Sequence, residues 1–149
     1  MKAQINFNNS SKFNLNLDSD IKDWLGQVIQ KHDYNYSEIN YNFFTDDELL
    51  DINKKYLEHD FYTDIITFDN TIQDMISADI MISIDRVIDN AQKQQVDFRN
   101  ELLRVMVHGV LHCMGYKDNT EEAQAIIRGK ENEALNMFHV EQNRTQTNV

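Results

Sequence analysis

Apolar and polar residues alternate over several short stretches of the chain, with the two-residue period of a β-strand. The first stretch is KAQINF at 2–7, and the second is EINYNFF at 38–44. DIITF at 64–68 and ADIMISI at 78–84 are rich in residues with high β-propensity, and a polar segment separates them. These four stretches predict four β-strands.

Elsewhere the apolar residues recur at three- and four-residue intervals, which is the spacing of an amphipathic helix. Capping residues precede several of these segments, as expected at helix amino ends. Because helices and strands are mixed rather than strictly alternating, we predict a single-domain α+β fold, with a mixed sheet of about four strands packed with helices. Five helices are predicted: after Asp18–Asp20, after Thr45–Asp47, over 85–95, over 98–114, and from Thr120 to about 138.

Length and composition favour one domain. The 149 residues contain no proline, no internal repeat and no Gly-rich linker, so we place a single domain at 1–140 and a polar tail at 141–149. The first residues lack the features of a secretory signal, and no apolar run of about 18 residues predicts a membrane span. The single cysteine, Cys113, excludes an intramolecular disulfide and fits a reducing compartment, so a cytoplasmic location is expected.

The charge balance bears on possible partners. The net charge of −11 comes from 25 acidic and 14 basic residues, and it disfavours broad non-specific binding to nucleic acid, because phosphate neutralisation needs clustered Lys and Arg. DNA is therefore not expected as a partner. A local positive cleft, or a metal ion that supplies positive charge, remains compatible with this balance.

Two histidines in the most apolar predicted helix are candidate metal ligands. His108 and His112 are four residues apart, which places both imidazoles on one helix face with about 5–6 Å between their Cβ atoms. Gly115 is expected to end this helix in a left-handed conformation, so that the chain folds back and offers Asp118 as a third ligand. Two imidazoles and one carboxylate, with a fourth position open, are typical of a catalytic zinc site.

The histidine pair also has a structural interpretation, because core and capping histidines are common. Buried imidazoles in the apolar segment VMVHGVLHCMGY would need polar partners, and this favours the metal. Cys113 points about 100° away from His112 around the helix, so a buried free thiol is expected there. Gly109 occupies the position at which H-E-x-x-H peptidases carry their general base, and this counts against proteolysis.

These residues resemble a known family. HGVLHCMGYKD at 108–118 is similar to the signature H-G-x-L-H-x-x-G-Y-D-H of the YbeY-type endoribonucleases, the rRNA maturation factors, and matches six of its eight fixed positions. YLEHDFYTDIITFD at 56–69 is similar to the family block Y-R-x-x-D-x-P-T-D-V-L-S-F, and ADIMISIDRVIDNAQ at 78–92 resembles its G-D-I-x-I strand and following helix. The order and spacing agree over roughly 40–137.

The resemblance implies an α+β fold with a metal at the end of a central helix, and a metal-dependent, single-strand-specific endoribonuclease. It implies a role in rRNA maturation: late 16S rRNA processing, ribosome biogenesis and quality control, with ribosomal RNA and the small ribosomal subunit as partners. One Zn²⁺ per chain is the expected cofactor, and Mn²⁺ or another divalent ion is the alternative. His108 is expected to be catalytic and, with His112 and Asp118, to bind the metal, while His59 and Thr63 are candidate substrate contacts.

Two departures from the family pattern keep alternatives open. The third ligand, usually His, aligns with Asp118, and the family arginine assigned to the phosphate aligns with Leu57. Loss of that arginine favours a non-catalytic ribosome assembly factor stabilised by its metal, and a metallohydrolase of another substrate class is a further alternative. The nucleophile is left open between water and the RNA 2′-hydroxyl, and Asp64 or Glu121 is a candidate base.

Overall fold

The computed structural model describes residues 3–9, 15 and 17–147, with side chains as far as residue 140. This part of the chain folds around one continuous apolar core, and its α+β class with a four-stranded sheet confirms the prediction. The elements in chain order are β1 (Gln4–Asn9), α1 (Ser19–Lys31), β2 (Asn35–Phe44), α2 (Asp46–Leu57), β3 (Ile65–Asp69), β4 (Met75–Ser83), α3 (Ile84–Gln94), α4 (Phe98–Cys113) and α5 (Glu121–Thr147).

The strands form a mixed sheet in the order β1-β2-β4-β3. The pairs β1–β2 and β2–β4 are parallel, whereas β3 runs antiparallel to β4. Successive side chains of a strand point to opposite faces of the sheet, which explains the alternating pattern of the sequence. On the polar face, Asn6 donates a hydrogen bond to Asn40 at 2.9 Å, and Asn40 donates to Asp79 at 3.1 Å.

Helix α4 packs closely on the sheet at Gly109. A Cβ atom at this position would lie 2.9 Å from Cδ1 of Ile80 in β4 and 3.3 Å from Cδ1 of Ile65 in β3. Ile80 is fully buried, so its side chain has no solvent to move into. Because His108 and His112 lie on either side of Gly109 in α4, this contact sets how near the two histidines come to the sheet.

The helix ends follow the predicted caps. Thr45 and Glu48 form a reciprocal capping box at the start of α2. The hydroxyl of Thr120 accepts a hydrogen bond from the backbone N–H of Ala123 at 3.0 Å, so α5 begins one residue after its predicted cap. Gly115 has a φ of +98°, the conformation expected after α4.

Several boundaries differ from the prediction, and β2 and β4 each begin three residues earlier than expected, at Asn35 and Met75. Strand β1 runs from Gln4 to Asn9 instead of 2–7, and Lys2 lies outside the described residues. Helix α5 continues past 138 to Thr147 because residues 139–147 lose the apolar period but contain no Gly or Pro to break a helix. The division into a domain at 1–140 and a tail at 141–149 stays a prediction. None of the helices in the described part is long and apolar enough to cross a membrane.

The contact at Gly109 generates a test of stability. Gly109→Ala gains about 1 kcal/mol of helix propensity but forces overpacking against Ile80, which costs about 1–3 kcal/mol. We expect a net loss of roughly 1 kcal/mol in the free energy of unfolding, measured by urea denaturation. Gly129→Ala is the control, because no atom lies within 4 Å of its added Cβ. This control should be stabilising, and equal effects of the two substitutions would contradict the packing argument.

Candidate functional site

His108 is held between two carboxylates. Its Nδ1 lies 2.7 Å from Oε2 of Glu131 in α5, and its Nε2 lies 3.3 Å from Oδ2 of Asp118 in the α4–α5 connection. The short contact with Glu131 fixes the orientation of the imidazole ring. It therefore leaves Nε2 as the atom that faces Asp118.

Glu131 is a buried charge with three basic partners, Arg104, His108 and, at 3.8 Å, Arg128. Its residue is only 4% exposed, and Nη1 of Arg104 donates a hydrogen bond to its Oε1 at 3.0 Å. Burial alone raises the pKa of Glu131, but the hydrogen bonds from His108 and Arg104 outweigh it and hold the pKa below the usual range. The carboxylate is thus ionised, and it joins α4 to α5.

The ring of His108 responds to the same surroundings. Burial lowers the pKa of His108, but the hydrogen bond and charge of Glu131 outweigh this effect, and the charges of Asp118 and Asp64 add to them. The net result is a raised pKa for His108. A carboxylate on one ring nitrogen that leaves the other nitrogen free is the usual arrangement around a metal-binding histidine.

Sequence reasoning did not identify Glu131 or Arg104. Glu131 stands in the apolar stripe of α5, four residues after Ile127 and four before Leu135, both of which are buried. A charged residue in a core-facing position is almost never fully buried unless it is paired. The core-facing position of Glu131 was therefore the feature of the sequence that could have indicated a buried ion pair.

One pocket of about 240 Å³ brings the predicted site residues together. Its lining includes His59, Thr63, His108, His112 and Asp118. The hydroxyl of Thr63 donates a hydrogen bond to the backbone carbonyl of Ile65 at 3.3 Å, beside the start of β3. His112 is exposed, one turn along α4 from His108. The functional roles of these five residues stay predictions.

The side chains of His108 and Asp118 fit two ligands of one ion. Two donors that each lie about 2.0–2.1 Å from a tetrahedral ion are about 3.3–3.4 Å apart, and the observed separation is 3.3 Å. Among the described residues, however, no three His, Cys, Asp or Glu side chains are gathered closely enough to hold a metal ion. The donor types fit a divalent ion, and His112, the predicted third donor, lines the same pocket.

A larger pocket of about 750 Å³ also includes His108 in its lining and shares Thr63, Ile65 and Asp118 with the smaller one. Five acidic side chains and two arginines line it, and the acidic ones include both candidate bases, Asp64 and Glu121. Burial raises the pKa of Asp64, although the nearby charge of His108 opposes that effect. The lining of this pocket is therefore more negative than that of the smaller pocket, in which Asp118 is the one carboxylate among the described residues.

The chain matches a known protein family over most of its length. Residues 4–139 match the sequence profile of the family described as Endoribonuclease YbeY. The chain belongs to this family. The Endoribonuclease YbeY of Flavobacterium johnsoniae is 48% identical over 138 residues, which cover 93% of this chain and 99% of that protein. The Endoribonuclease YbeY of Christiangramia forsetii is 43% identical over 141 residues, which cover 95% and 99%.

The fold also has a counterpart among solved structures. The solution structure of a Thermotoga maritima protein aligns with a TM-score of 0.69 and 22% identity, and the alignment covers 98% of this chain and 96% of that one. This likeness establishes the α+β fold. Family membership, in turn, confirms the resemblance drawn from the motifs at 56–69 and 108–118.

The structure shows where two residues discussed in the sequence analysis lie, Leu57 in the smaller pocket and Cys113 in the core. Leu57, which aligns with the family arginine, lines the smaller pocket, and among the described residues no Lys or Arg does so. Cys113 is a buried free thiol, as expected, and burial with the neighbouring charge of Asp69 raises its pKa to about 12. Cys113 lines neither pocket, so it does not lie with the proposed ligands.

The buried carboxylate generates a second stability test. Glu131→Ala removes the buried carboxylate from Arg104 and His108, which keep Asn132 and Asp118 as partners. We expect a loss of about 3 kcal/mol in the free energy of unfolding, the lower end of the range for a broken buried pair. The lower end applies because the side chains of Arg104 and His108 keep 13% and 22% exposure.

Glu133→Ala on the same helix is the matched control. The carboxylate of Glu133 pairs with Lys130 at 3.2 Å on the exposed surface, and such pairs contribute less than about 1 kcal/mol. Urea denaturation of both variants provides the comparison. A loss for Glu131→Ala as small as that for Glu133→Ala would contradict the structural role of Glu131.

Proposed function

We propose that this chain is a cytoplasmic, metal-dependent endoribonuclease that cleaves single-stranded RNA during ribosomal RNA maturation. Family membership supports the reaction class, because the matched relatives bear the name endoribonuclease. The late processing of 16S rRNA, with the small ribosomal subunit as partner, is the proposed setting. The observation that carries the proposal is the imidazole of His108, held by Glu131 on one side and directed at Asp118 on the other.

One Zn²⁺ per chain is the proposed cofactor, held by His108, His112 and Asp118. Mn²⁺ is the alternative, because a carboxylate is a harder donor than the histidine that the family usually carries at this position. Bound there, such an ion supplies Lewis acidity that offsets the negative charge developing on the scissile phosphate.

The protein's own residues position the reacting groups. Glu131 orients His108, and Arg104 balances the charge that this orientation requires. His59 and Thr63 line the smaller pocket and are the proposed substrate contacts. Asp64 and Glu121 line the adjoining pocket with His108, and either one is the proposed acceptor of the proton of the nucleophile, whether this is water or the 2′-hydroxyl.

The distribution of charge reconciles an acidic protein with an RNA substrate. The smaller pocket is lined by three imidazoles and one carboxylate, although the whole chain carries a net charge of −11. A bound divalent ion would add positive charge at that point. We therefore assign the RNA backbone to the smaller pocket rather than to the acidic larger one, with docking on the ribosome as a further source of affinity.

The main alternative is a non-catalytic ribosome assembly factor whose metal stabilises the fold. The replacement of the family arginine by Leu57 favours it. The continuous apolar core argues against it, because none of the three proposed ligands belongs to that core. A metallohydrolase of another substrate class is less well supported, since the matched relatives bear the name endoribonuclease.

Cleavage of a single-stranded rRNA fragment tests the proposed activity. We expect His112→Ala to lose at least 100-fold in cleavage rate, because it removes one of three ligands of the catalytic ion. The exposed His139 of α5 provides the control, and His139→Ala should cut at the wild-type rate. Equal cutting by wild type and His112→Ala would assign any activity to another site or a contaminant.

Metal removal separates the enzyme from the assembly factor. We expect a chelator to abolish cleavage and added Zn²⁺ to restore it, while the circular dichroism spectrum stays that of the folded protein. This follows because the core is complete without the three ligands. A metal that served the fold would unfold the protein on removal, and that result would favour the assembly factor.

A further inference from the structure

Two exposed rings stand beside the smaller pocket, in the α2–β3 connection at 58–64. The rings of His59 and Phe61 are stacked, with centroids 5.0 Å apart and an interplanar angle of 21°. Both residues are exposed, Phe61 to 56%. Both also line the pocket that contains His108 and Asp118. An exposed ring pair is thus continuous with the candidate catalytic site.

The connection that carries these rings has a fixed shape. Asn53 of α2 is fully buried, and its side-chain amide donates a hydrogen bond to the backbone carbonyl of Phe61 at 2.9 Å. The backbone carbonyl of Asn53 accepts from the N–H of His59 at 3.1 Å, and Glu58 between them adopts a left-handed φ of +57°. The ring pair is therefore held in place before any ligand binds, which lowers the entropic cost of binding.

Neighbouring aromatic residues have structural partners instead. The hydroxyl of Tyr62 donates to Asp47 at 3.1 Å, and Arg86 lies over its ring at 5.3 Å. The ring of Tyr56 meets Phe68 edge-on at 6.1 Å. In the described part of the chain, the ring of Phe61 stacks on His59, at the pocket. This pair is therefore the aromatic surface best placed to receive a ligand.

We propose that His59 and Phe61 form a stacking platform for one unpaired base of the RNA, next to the nucleotide that is cut. Bases stack on aromatic side chains with little dependence on sequence, and an unstacked base in a single strand is free to do so. A base within a duplex is already stacked and paired. The platform therefore gives the proposed endoribonuclease, on which this inference rests, a physical basis for selecting single strands.

Stacking also suits the charge of the region. Glu58 and Asp60 flank His59 in the chain, and Lys54 pairs with Asp60 at 3.4 Å, so these side chains leave no net positive charge to hold the RNA backbone. A base face is uncharged, and its attraction to a ring needs no net positive charge. An unpaired base is therefore better matched to this surface than a phosphate is.

The experiment measures cleavage and stacking separately on short single-stranded RNA, with the full-length, Zn²⁺-loaded chain. We expect Phe61→Ala to raise KM about tenfold or more, from the loss of one base stack, and to leave kcat within about twofold. Phe61→Trp should retain the wild-type KM. Ile72→Ala is the control, because Ile72 is 74% exposed and does not line either pocket.

A fluorescent base analogue, 2-aminopurine, provides a readout other than activity, because its emission is quenched when it stacks. Placed next to the cleaved nucleotide, it should be quenched by the wild type and by Phe61→Trp, but much less by Phe61→Ala. Removing that base from the RNA should raise the KM of the wild type and leave the KM of Phe61→Ala unchanged.

Two failures are distinguishable. If the wild type cuts RNA and Phe61→Ala has the same KM and the same quenching, the platform is overturned, and the exposed rings are left as a surface for a protein partner. If the wild type neither binds nor cuts RNA, the proposed endoribonuclease function fails, and the stacking inference fails with it.

Discussion

The buried carboxylate of Glu131 is the interaction on which the candidate site depends. An ionised group at this depth is stable only because Arg104 and His108 both donate to it. The same contacts join α4 to α5 and fix the ring of His108. The side chain of Glu131 therefore stabilises the fold and also orients the proposed catalytic histidine. Asp118 lies in the connection between these two helices, and its distance from His108 therefore depends on how they pack.

A second constraint, the absence of a side chain at Gly109, places this arrangement against the sheet. The close approach of α4 to Ile65 and Ile80 brings His108 beside the start of β3. Thr63 and Asp64 immediately precede β3, and they therefore reach the pockets around His108. The α2–β3 connection, which carries the rings of His59 and Phe61, leads into β3 and so reaches the smaller pocket as well. The close packing that Gly109 allows therefore brings this connection to the site.

How much the sequence could predict depended on the range of the interaction. Local periodicity was enough for the strands and helices, and the spacing of His108 and His112 placed them on one side of α4. The turn at Gly115 was enough to bring Asp118 back towards His108. The pairing of Glu131 with His108 spans 23 residues and depends on the packing of two helices, which no local pattern encodes. The continuation of α5 to Thr147 was missed because helix propensity persisted after the apolar period had stopped.

An acidic protein that acts on RNA needs attraction that does not rely on its overall field. With a net charge of −11, long-range electrostatics oppose the approach of a polyanion. The smaller pocket offsets this with a proposed divalent ion, held by His108, His112 and Asp118, and with the stacked rings of His59 and Phe61. The ion and the rings both act over a few ångströms. A bound strand must therefore fit one phosphate and one base into the same narrow place. The proposed selectivity for unpaired RNA then follows from the source of the affinity: weak attraction at a distance leaves short-range fit to decide what binds.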